Sequence, residues 1–273
     1  MSPCPDFSDL LQRVLSAIVM LVVFALADWA GGDIWAGLLI VIAGMMGWEV
    51  SRLHSDNGQV QVAFGMLIAS VVLCWLFVSS FWAGVVTALA VATALAAHNT
   101  PVTVAGWAAA IAVCCVVLHI LRENTGSLGI LWFVGIVVAT DVGGYFTGRL
   151  IGGPRILPRV SPKKTWSGTV GGWVLAAVAG VGGPFLIAGQ ERLWLLFLTG
   201  AIALSIAAQL GDLMESSMKR RAGVKDSSSL IPGHGGLLDR FDGLVGAGVA
   251  LGVAWGCCRC EEFLDAGLNL AHV

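Results

Sequence analysis

The feature that most constrains this chain is a succession of apolar runs, each about as long as a bilayer is thick. A hydrocarbon core of about 30 Å takes roughly 20 helical residues. Nine runs near that length lie between clusters of charged or polar residues: 11–30, 34–50, 60–79, 81–97, 102–121, 128–147, 168–188, 192–214 and 237–257. We therefore predict an all-α, polytopic integral membrane protein with about nine transmembrane helices.

The composition agrees with a chain that contacts lipid directly. Of its 273 residues, 57% are hydrophobic and 12% are charged, whereas an ordinary soluble domain carries about 25% charged residues. This excludes an ordinary soluble globular protein. It also argues against nucleic-acid binding, because no basic domain is present to neutralise a phosphate backbone.

The positions of the cations predict the orientation in the membrane. With nine spans, all of the 15 Lys and Arg residues except Arg122, Arg192 and Arg259 lie on one face. Cationic residues accumulate on the cytoplasmic side of membrane proteins. We expect the N-terminus and the two most basic loops in the cytoplasm. Short termini without a targeting segment favour a bacterial inner membrane.

Two connections are longer and more polar than the others. They are residues 149–167 and 215–236, and long connections usually carry function. We therefore divide the chain into an N-terminal region, 1–125, with about five transmembrane helices, and a catalytic region, 126–273, that contains both cytoplasmic loops. The chemistry should lie in these loops and in the helix ends beside them.

The second loop combines cations with a glycine-rich turn, as phosphate binding requires. Lys219, Arg220, Lys225 and Arg240 can neutralise phosphate oxygens, and arginine can do so with two parallel hydrogen bonds. The segment 232–236 could bring backbone N–H groups against a phosphate at the start of the last helix, where the helix dipole also favours an anion.

Three aspartates around this loop offer hard oxygen ligands. Asp212, Asp239 and Asp242 are the kind of group that Mg²⁺ takes together with substrate phosphates. Asp239 and Asp242 are three residues apart and share a helix face. If the loop folds back, Asp212 and Asp239 point into one cleft. The alternative is pairing with Arg240 or Lys219 at the membrane surface, but the whole constellation favours a metal site.

The first loop and the helix before it give further candidates. Lys163 and Lys164 either anchor the loop at the membrane or reach a substrate, and taken alone the anchor is the favoured reading. Asp141 lies inside an apolar run, and an ionisable group there is a functional hypothesis by default. Tyr145 is equally well read as an interfacial aromatic or as a site residue.

Two more residues have alternative interpretations. His234 stands between two glycines, and both phosphate donation and acid–base chemistry are open to it. Glu49 follows Trp48 at the end of the second apolar run. It either reaches the site or only ends its helix, and we favour the second interpretation.

The second loop resembles the signature of the phosphatidate cytidylyltransferase family, the CDP-diacylglycerol synthases. That pattern is S-x-hydrophobic-K-R, four residues, K-D, and then P-x-H-G-G-x-x-D-R-x-D. It is met by Ser216, Lys219, Arg220, Lys225, Asp226, Pro232, His234, Gly235, Gly236, Asp239, Arg240 and Asp242. The resemblance extends to the segments 141–145 and 161–168, so it covers roughly the C-terminal half.

The resemblance implies an enzyme that converts CTP and phosphatidic acid into CDP-diacylglycerol and pyrophosphate. It further implies Mg²⁺ bound by Asp212 and Asp239, a second, monovalent cation such as K⁺, and a homodimer. We expect Asp212, Asp239, Lys219, His234 and Asp242 to be catalytic. The expected substrate contacts are Ser161, Lys163, Lys164, Ser216, Arg220, Lys225, Asp226, Gly235, Gly236, Arg240, Asp141 and Tyr145.

Two other classes of protein compete with this expectation. One is a neighbouring enzyme, either a CTP-dependent lipid kinase or a cytidylyltransferase for another lipid phosphate. The other is a cation or proton transporter built around Asp141. A transporter would need several paired charges within the membrane, and the apolar runs supply almost none besides Asp141.

Overall fold

The computed structural model describes residues 7–77, 102–185 and 193–258. In these ranges the chain forms seven helices: α1 (Phe7–Ala30), α2 (Gly32–Arg52), α3 (Gly58–Phe77), α4 (Val102–Leu150), α5 (Trp166–Val181), α6 (Trp194–Arg221) and α7 (Leu238–Cys258). These ranges contain no β-strand and only isolated bridges, between Arg155 and Thr165 and between Ile231 and Gly235. The all-α prediction is confirmed for the described residues.

Several helices have the length and apolar surface of membrane spans. Among the described residues, α2, α3, α4 and α6 are long and apolar enough to cross a bilayer. α1 exposes large apolar side chains, including Leu21, Leu26 and Trp29, as a surface in contact with lipid would. The number of nine spans and the cytoplasmic N-terminus stay predictions, and the run 81–97 lies outside the described residues.

α4 is interrupted at Gly126. Its backbone has φ 67° and ψ −166° there, a conformation that glycine adopts without the steric cost of a Cβ. An uninterrupted helix of 49 residues would be about 70 Å long at roughly 1.5 Å per residue, more than twice a bilayer core. The break therefore separates the two predicted runs 102–121 and 128–147.

The described residues fall into two compact units. The first contains those in 1–115 and 218–241, and the second contains those in 116–217 and 242–273. The sequence grouped all of 126–273 into one catalytic region. The segment 218–241, which holds most of the signature, lies in the first unit, and the division into 1–125 and 126–273 stays a prediction.

The first unit is built on close contact between α2 and α3. A Cβ added to Gly65 would lie 2.7 Å from the carbonyl oxygen of Gly44, so the two backbones approach too closely for a larger residue. Trp35 is fully buried and packs edge-to-face on Phe24 of α1, with ring centroids 5.2 Å apart. These contacts hold α2 against both α1 and α3.

The second unit packs α4 against α5 through glycines and against α6 through a polar contact. A Cβ on Gly143 would lie 2.6 Å from the carbonyl oxygen of Gly171. The Thr140 hydroxyl donates to the Ser205 hydroxyl over 2.8 Å, and both residues are buried. Small residues and buried hydrogen bonds are how helices associate where lipid removes the hydrophobic driving force.

α6 continues beyond its predicted end at residue 214 and stops at Arg221. It ends in a Schellman motif, in which Val224 N donates to Lys219 O over 3.0 Å and Gly223 N to Arg220 O over 3.2 Å. Gly223 has φ 71°, as this motif requires. Residues 215–221, which the sequence placed in the second loop, are therefore the last turns of α6.

Candidate active site

In the first unit, Lys219 and Asp239 form a nearly buried ion pair. Lys219 Nζ lies 2.6 Å from Asp239 Oδ1, and the two side chains are 11% and 5% exposed. The Asp239 carboxylate also accepts hydrogen bonds from Ser227 N, at 3.0 Å, and from Gly236 N, at 2.7 Å. One cation and two backbone donors thus fix this carboxylate at the start of α7. The pairing with Lys219, which the sequence offered as the alternative to a metal site, is the arrangement present at Asp239.

A tight turn precedes Asp239. Ile231 N donates to Gly235 O over 2.8 Å, and the N–H groups of His234 and Gly235 both donate to Ile231 O. Gly235 has φ 85°, and a Cβ there would lie 2.7 Å from Asp239 Oδ2. A side chain at this position would therefore disturb the aspartate directly.

Glu49 reaches this turn, contrary to the interpretation that it only ends its helix. It is fully buried in the last turn of α2. Its Oε1 accepts from Ser228 Oγ at 2.5 Å and Leu237 N at 2.9 Å. Its Oε2 accepts from Leu238 N at 2.6 Å and Ser227 Oγ at 3.3 Å.

These contacts change the expected role of the segment 232–236. The N–H groups of His234 and Gly235 are used within the turn, and that of Gly236 is bound to Asp239. The next two along the chain, at the start of α7, are bound to Glu49. A phosphate at these groups would have to displace a carboxylate of the protein itself.

His234 and Arg240 are tied to the same turn. The Ser16 hydroxyl of α1 lies 2.7 Å from His234 Nδ1 and donates to Pro232 O over 3.1 Å. Arg240 Nη2 donates to His234 O over 2.8 Å. α1 thus contacts the signature directly, through a serine that the sequence did not single out.

In the second unit, the first loop brings Lys164 to Asp212. Ile156 N donates to Lys164 O over 3.1 Å, and Thr165 Oγ1 caps α5 by accepting from Gly168 N over 3.2 Å. Lys164 Nζ lies 2.5 Å from Asp212 Oδ2, and the two side chains are 26% and 30% exposed.

Three other predicted residues lie near this pair along the chain. Ser216 Oγ donates to Asp212 Oδ1 over 3.2 Å. Ser161 closes the turn before Lys164 by accepting from Lys164 N over 3.3 Å, whereas Lys163 is exposed. Of the two neighbouring lysines, Lys164 contacts the Asp212 carboxylate and Lys163 is exposed, so their positions predict different roles.

The remaining candidates of the second unit are Tyr145, Asp242 and Asp141. Arg149 Nη1 donates to the Tyr145 hydroxyl over 2.8 Å, one turn along α4. Asp242 Oδ1 accepts from Gly243 N over 2.7 Å. Asp141 is exposed on α4.

The other cations of the second loop are exposed in the first unit. Arg220 donates to Val224 O over 3.2 Å, and Lys225 and Asp226 are exposed beside it. Their side chains are therefore accessible to an anion from outside the protein.

A polar cavity of about 560 Å³ lies in the first unit. The end of α2, the following turn, the start of α3 and the segment after α6 form its walls, which include Arg52, His54, Asp56, Gln61, Asp226 and Ser227. Ser227 also donates its N–H to Asp239. The cavity and the Lys219–Asp239 pair therefore share a wall residue.

Cations, carboxylates and a polar cavity beside apolar helices suit an enzyme that handles phosphates at a membrane. The chain belongs to the cytidylyltransferase family, whose model matches residues 11–257.

One of the curated relatives matches most of the chain, and two others match about half of it. A protein of Brucella suis biovar 1 named phosphatidate cytidylyltransferase is 35% identical over 257 residues, which cover 89% of this chain and 92% of the relative. Proteins of the same name from Haemophilus influenzae and Mycobacterium leprae are 44% identical over 137 residues and 38% identical over 157 residues. These two alignments cover 47% and 58% of this chain, and 46% and 48% of the relatives.

Sequence reasoning missed the hydroxyl groups that hold the signature. Ser227 and Ser228 follow directly after Asp226 in the motif, and Ser16 lies in the first apolar run. Ser227 and Ser228 lie within the loop between α6 and α7, away from either helix end, so no helix-capping pattern indicated their contacts. Nothing in the local sequence indicates that Ser16 lies near His234.

Proposed function

We propose that this protein transfers CMP from CTP to phosphatidic acid, giving CDP-diacylglycerol and pyrophosphate. The family membership and the names of the curated relatives support this activity. Within the structure, the observation that carries it is the Lys219–Asp239 pair, because two signature residues lie at hydrogen-bonding distance beside a polar cavity.

The reaction is a phosphoryl-type substitution at the α-phosphorus of CTP. A phosphate oxygen of phosphatidic acid forms a bond to that phosphorus, and the bond to the oxygen bridging the α- and β-phosphates breaks. Pyrophosphate leaves with the electron pair. Such reactions depend on positioning and on charge neutralisation, which are the contributions that lysine and arginine side chains make.

The cations of both loops contact phosphate oxygens of the substrates in this proposal. Lys219 and Lys164 contact phosphate oxygens from positions next to Asp239 and Asp212. Arg220, Lys225 and Arg240 hold phosphates of CTP or of the lipid, with Lys163 at the edge. Both roles of His234, phosphate contact and acid–base chemistry, are assigned to the ring nitrogen that does not face Ser16.

The donor chemistry of the two signature aspartates fits Mg²⁺. Mg²⁺ usually takes one or two carboxylates together with substrate phosphates. The described residues contain no group of three or more His, Cys, Asp or Glu that could hold a metal ion, so the proposal rests on the carboxylates and on substrate phosphates. Asp212 and Asp239 would hold the ion, and its charge would favour the departure of pyrophosphate.

The other acidic candidates have supporting roles. Asp242, Asp226 and Asp141 are proposed to orient neighbouring groups or to bind a second, monovalent cation such as K⁺. Ser161, Ser216, Gly235, Gly236 and Tyr145 shape the walls around the phosphates.

The cavity of the first unit is the proposed place for the cytidine part of CTP. Cytosine offers an amino donor and two acceptors on its pairing edge, and ribose offers two hydroxyl groups. The cavity wall contains carboxylates in Asp56 and Asp226 as acceptors, and donors in Arg52 and Gln61. This mixture of acceptors and donors matches a nucleoside, which has both, better than a phosphate, which mainly accepts hydrogen bonds.

The membrane arrangement follows from the same proposal. CTP is a cytoplasmic metabolite, so the two basic loops face the cytoplasm in a bacterial inner membrane and the chain crosses it about nine times. The proposal includes a homodimer.

The test uses purified protein in detergent with phosphatidic acid, Mg²⁺ and CTP labelled separately at the α- and γ-phosphates. We expect the α-label to appear in the lipid, the γ-label to appear only in pyrophosphate, and the two amounts to match. The γ-label in the lipid would instead indicate a lipid kinase. Transfer to a different lipid phosphate, but not to phosphatidic acid, would overturn the assigned acceptor.

A further inference from the structure

Glu49 closes the start of α7 from a distant part of the chain. The first N–H groups of a helix have no partner within that helix, and a Ser, Thr, Asp or Asn usually caps them from the preceding position. The position before α7 is Leu237, which has no polar side chain. The N–H groups of Leu237 and Leu238 donate instead to the two carboxylate oxygens of Glu49, at 2.9 and 2.6 Å.

The environment of Glu49 suits a negative charge although it is fully buried. A buried carboxylate is costly unless it is hydrogen-bonded, and a helix N-terminus favours an anion. Glu49 has both compensations, because its partners are two backbone N–H groups and the hydroxyls of Ser227 and Ser228. Each partner donates, so each oxygen accepts two hydrogen bonds.

The four contacts of Glu49 adjoin the two backbone groups that donate to Asp239. Ser227 donates its hydroxyl to Glu49 and its N–H to Asp239. Gly236 donates its N–H to Asp239 over 2.7 Å, and its neighbour Leu237 donates to Glu49. A shift of Glu49 would therefore move both backbone donors of Asp239.

We infer that Glu49 is a positioning residue for the reaction: it fixes the backbone donors that orient the Asp239 carboxylate for metal and nucleotide. This inference rests on the proposed function in assigning Asp239 to metal binding. Glu49 itself touches no reacting atom. Its effect passes through Ser227 and Gly236, as partners of metal ligands commonly do.

Two substitutions at Glu49 separate charge from shape. Glu49→Gln keeps the size but places an amide NH₂ among groups that donate, so at least one donor loses its acceptor. Glu49→Asp keeps the charge on a shorter side chain. Leu39→Ala is the matched control, because Leu39 is buried on the same helix and its truncation destabilises α2 without removing an acceptor.

The kinetic measurements are kcat, the KM for CTP, and the Mg²⁺ concentration giving half-maximal CMP transfer, with the melting temperature of each variant. We expect Glu49→Gln to lower kcat by about 10- to 100-fold and to raise the half-saturating Mg²⁺ concentration. Glu49→Asp should recover part of both losses. Leu39→Ala should lower the melting temperature but leave the Mg²⁺ dependence unchanged.

Hydrogen exchange gives a readout that does not depend on activity. In Glu49→Gln, peptides covering 227–241 should exchange faster than in wild type, while peptides covering α3 should not change. Unchanged exchange in 227–241 would overturn the inference even if turnover fell. A kcat and an Mg²⁺ dependence within about twofold of wild type would also overturn the inference. So would equal losses of turnover in Glu49→Gln and Leu39→Ala when the two variants have the same melting temperature.

Failure of the proposed function has a different outcome from failure of this inference. Wild-type protein that transfers no CMP, or an Asp239→Asn variant with normal turnover, would overturn the assigned activity or the role of Asp239. A wild-type enzyme that depends on Asp239 but not on Glu49 would overturn only the positioning role.

Discussion

The ammonium group of Lys219 lies 2.6 Å from Oδ1 of Asp239, and both side chains are nearly buried. Each charge therefore compensates the desolvation of the other, and neither can be removed in isolation without leaving a buried charge. A variant of either residue loses stability as well as any direct part in the reaction. Substitutions at this pair must be interpreted together.

The first prediction separates these two effects with a double substitution. Lys219→Met and Asp239→Asn should each lower the melting temperature, because breaking a buried ion pair costs about 3–5 kcal/mol. The double variant should recover stability relative to the less stable single variant. CMP transfer should stay at least about 100-fold below wild type in all three, since a preorganised charge is lost. Thermal unfolding in detergent and labelled-CTP turnover measure the two quantities.

The control for this prediction is Lys219→Arg, which keeps the charge. Arginine has a planar, forked head group, so it should preserve more stability than Lys219→Met and part of the turnover. A double variant with wild-type turnover would contradict a catalytic role for either residue.

The second prediction concerns the two adjacent lysines of the first loop. Lys164 contacts Asp212, whereas Lys163 is exposed. Lys164→Gln should lower kcat/KM for CTP by about tenfold or more, the equivalent of one charge-assisted hydrogen bond. Lys163→Gln should have a smaller effect. Because the Lys164–Asp212 pair is partly exposed, its contribution to stability should be at most about 1 kcal/mol.

Steady-state kinetics of these two matched variants test the alternative that both lysines only anchor the loop. Under that alternative the two substitutions would have equal effects. A larger loss for Lys163→Gln than for Lys164→Gln would contradict the assignment of Lys164 to the site.

The third prediction uses the lack of space at Gly236. A Cβ at this position would collide with the side chains of Ser227 and Glu49, and overpacking of this kind costs about 1–3 kcal/mol. Gly236→Ala should therefore lower the melting temperature and reduce turnover. Gly37→Ala is the matched control, since it lies on α2 with no atom within 4 Å of an added Cβ. It should leave turnover unchanged, and equal losses in the two variants would contradict the packing argument.

The helices were largely predictable from the sequence, because each apolar run has about the length that a helix needs to cross a bilayer. The end of α6 was not, since Glu215 and the cations that follow it are polar but favour a helix. Cations also stabilise a helix C-terminus, so the helix extends to Arg221. The sequence signal for the end of α6 was the glycine of the Arg-Arg-Ala-Gly segment, Gly223.

The candidate site was predictable where it follows a contiguous motif and not where it depends on distant contacts. Lys219, Asp239 and Gly236 stand in the signature, and the structure brings them together. Glu49 lies 188 residues from Leu237, and no local pattern encodes that separation. Its isolated charge beside an apolar run was visible, but its partner was not.

The fourth prediction tests the proposed cytidine cavity through Arg52. Arg52 lines the cavity, and its guanidinium also lies 5.6 Å from the centroid of the Trp48 ring. A contact made equally in the bound substrate and in the transition state raises KM, and leaves kcat unchanged, when it is lost. Arg52→Gln should therefore raise the KM for CTP by about tenfold.

The KM for phosphatidic acid is the internal control for this variant, because the lipid makes no contact with this cavity in the proposal. It should stay within about twofold of wild type. Competition with cytidine adds a second measurement, and the inhibition constant should rise in parallel with the KM for CTP. A variant that loses kcat but keeps both constants would place Arg52 with the phosphates, and the cytidine would then bind elsewhere.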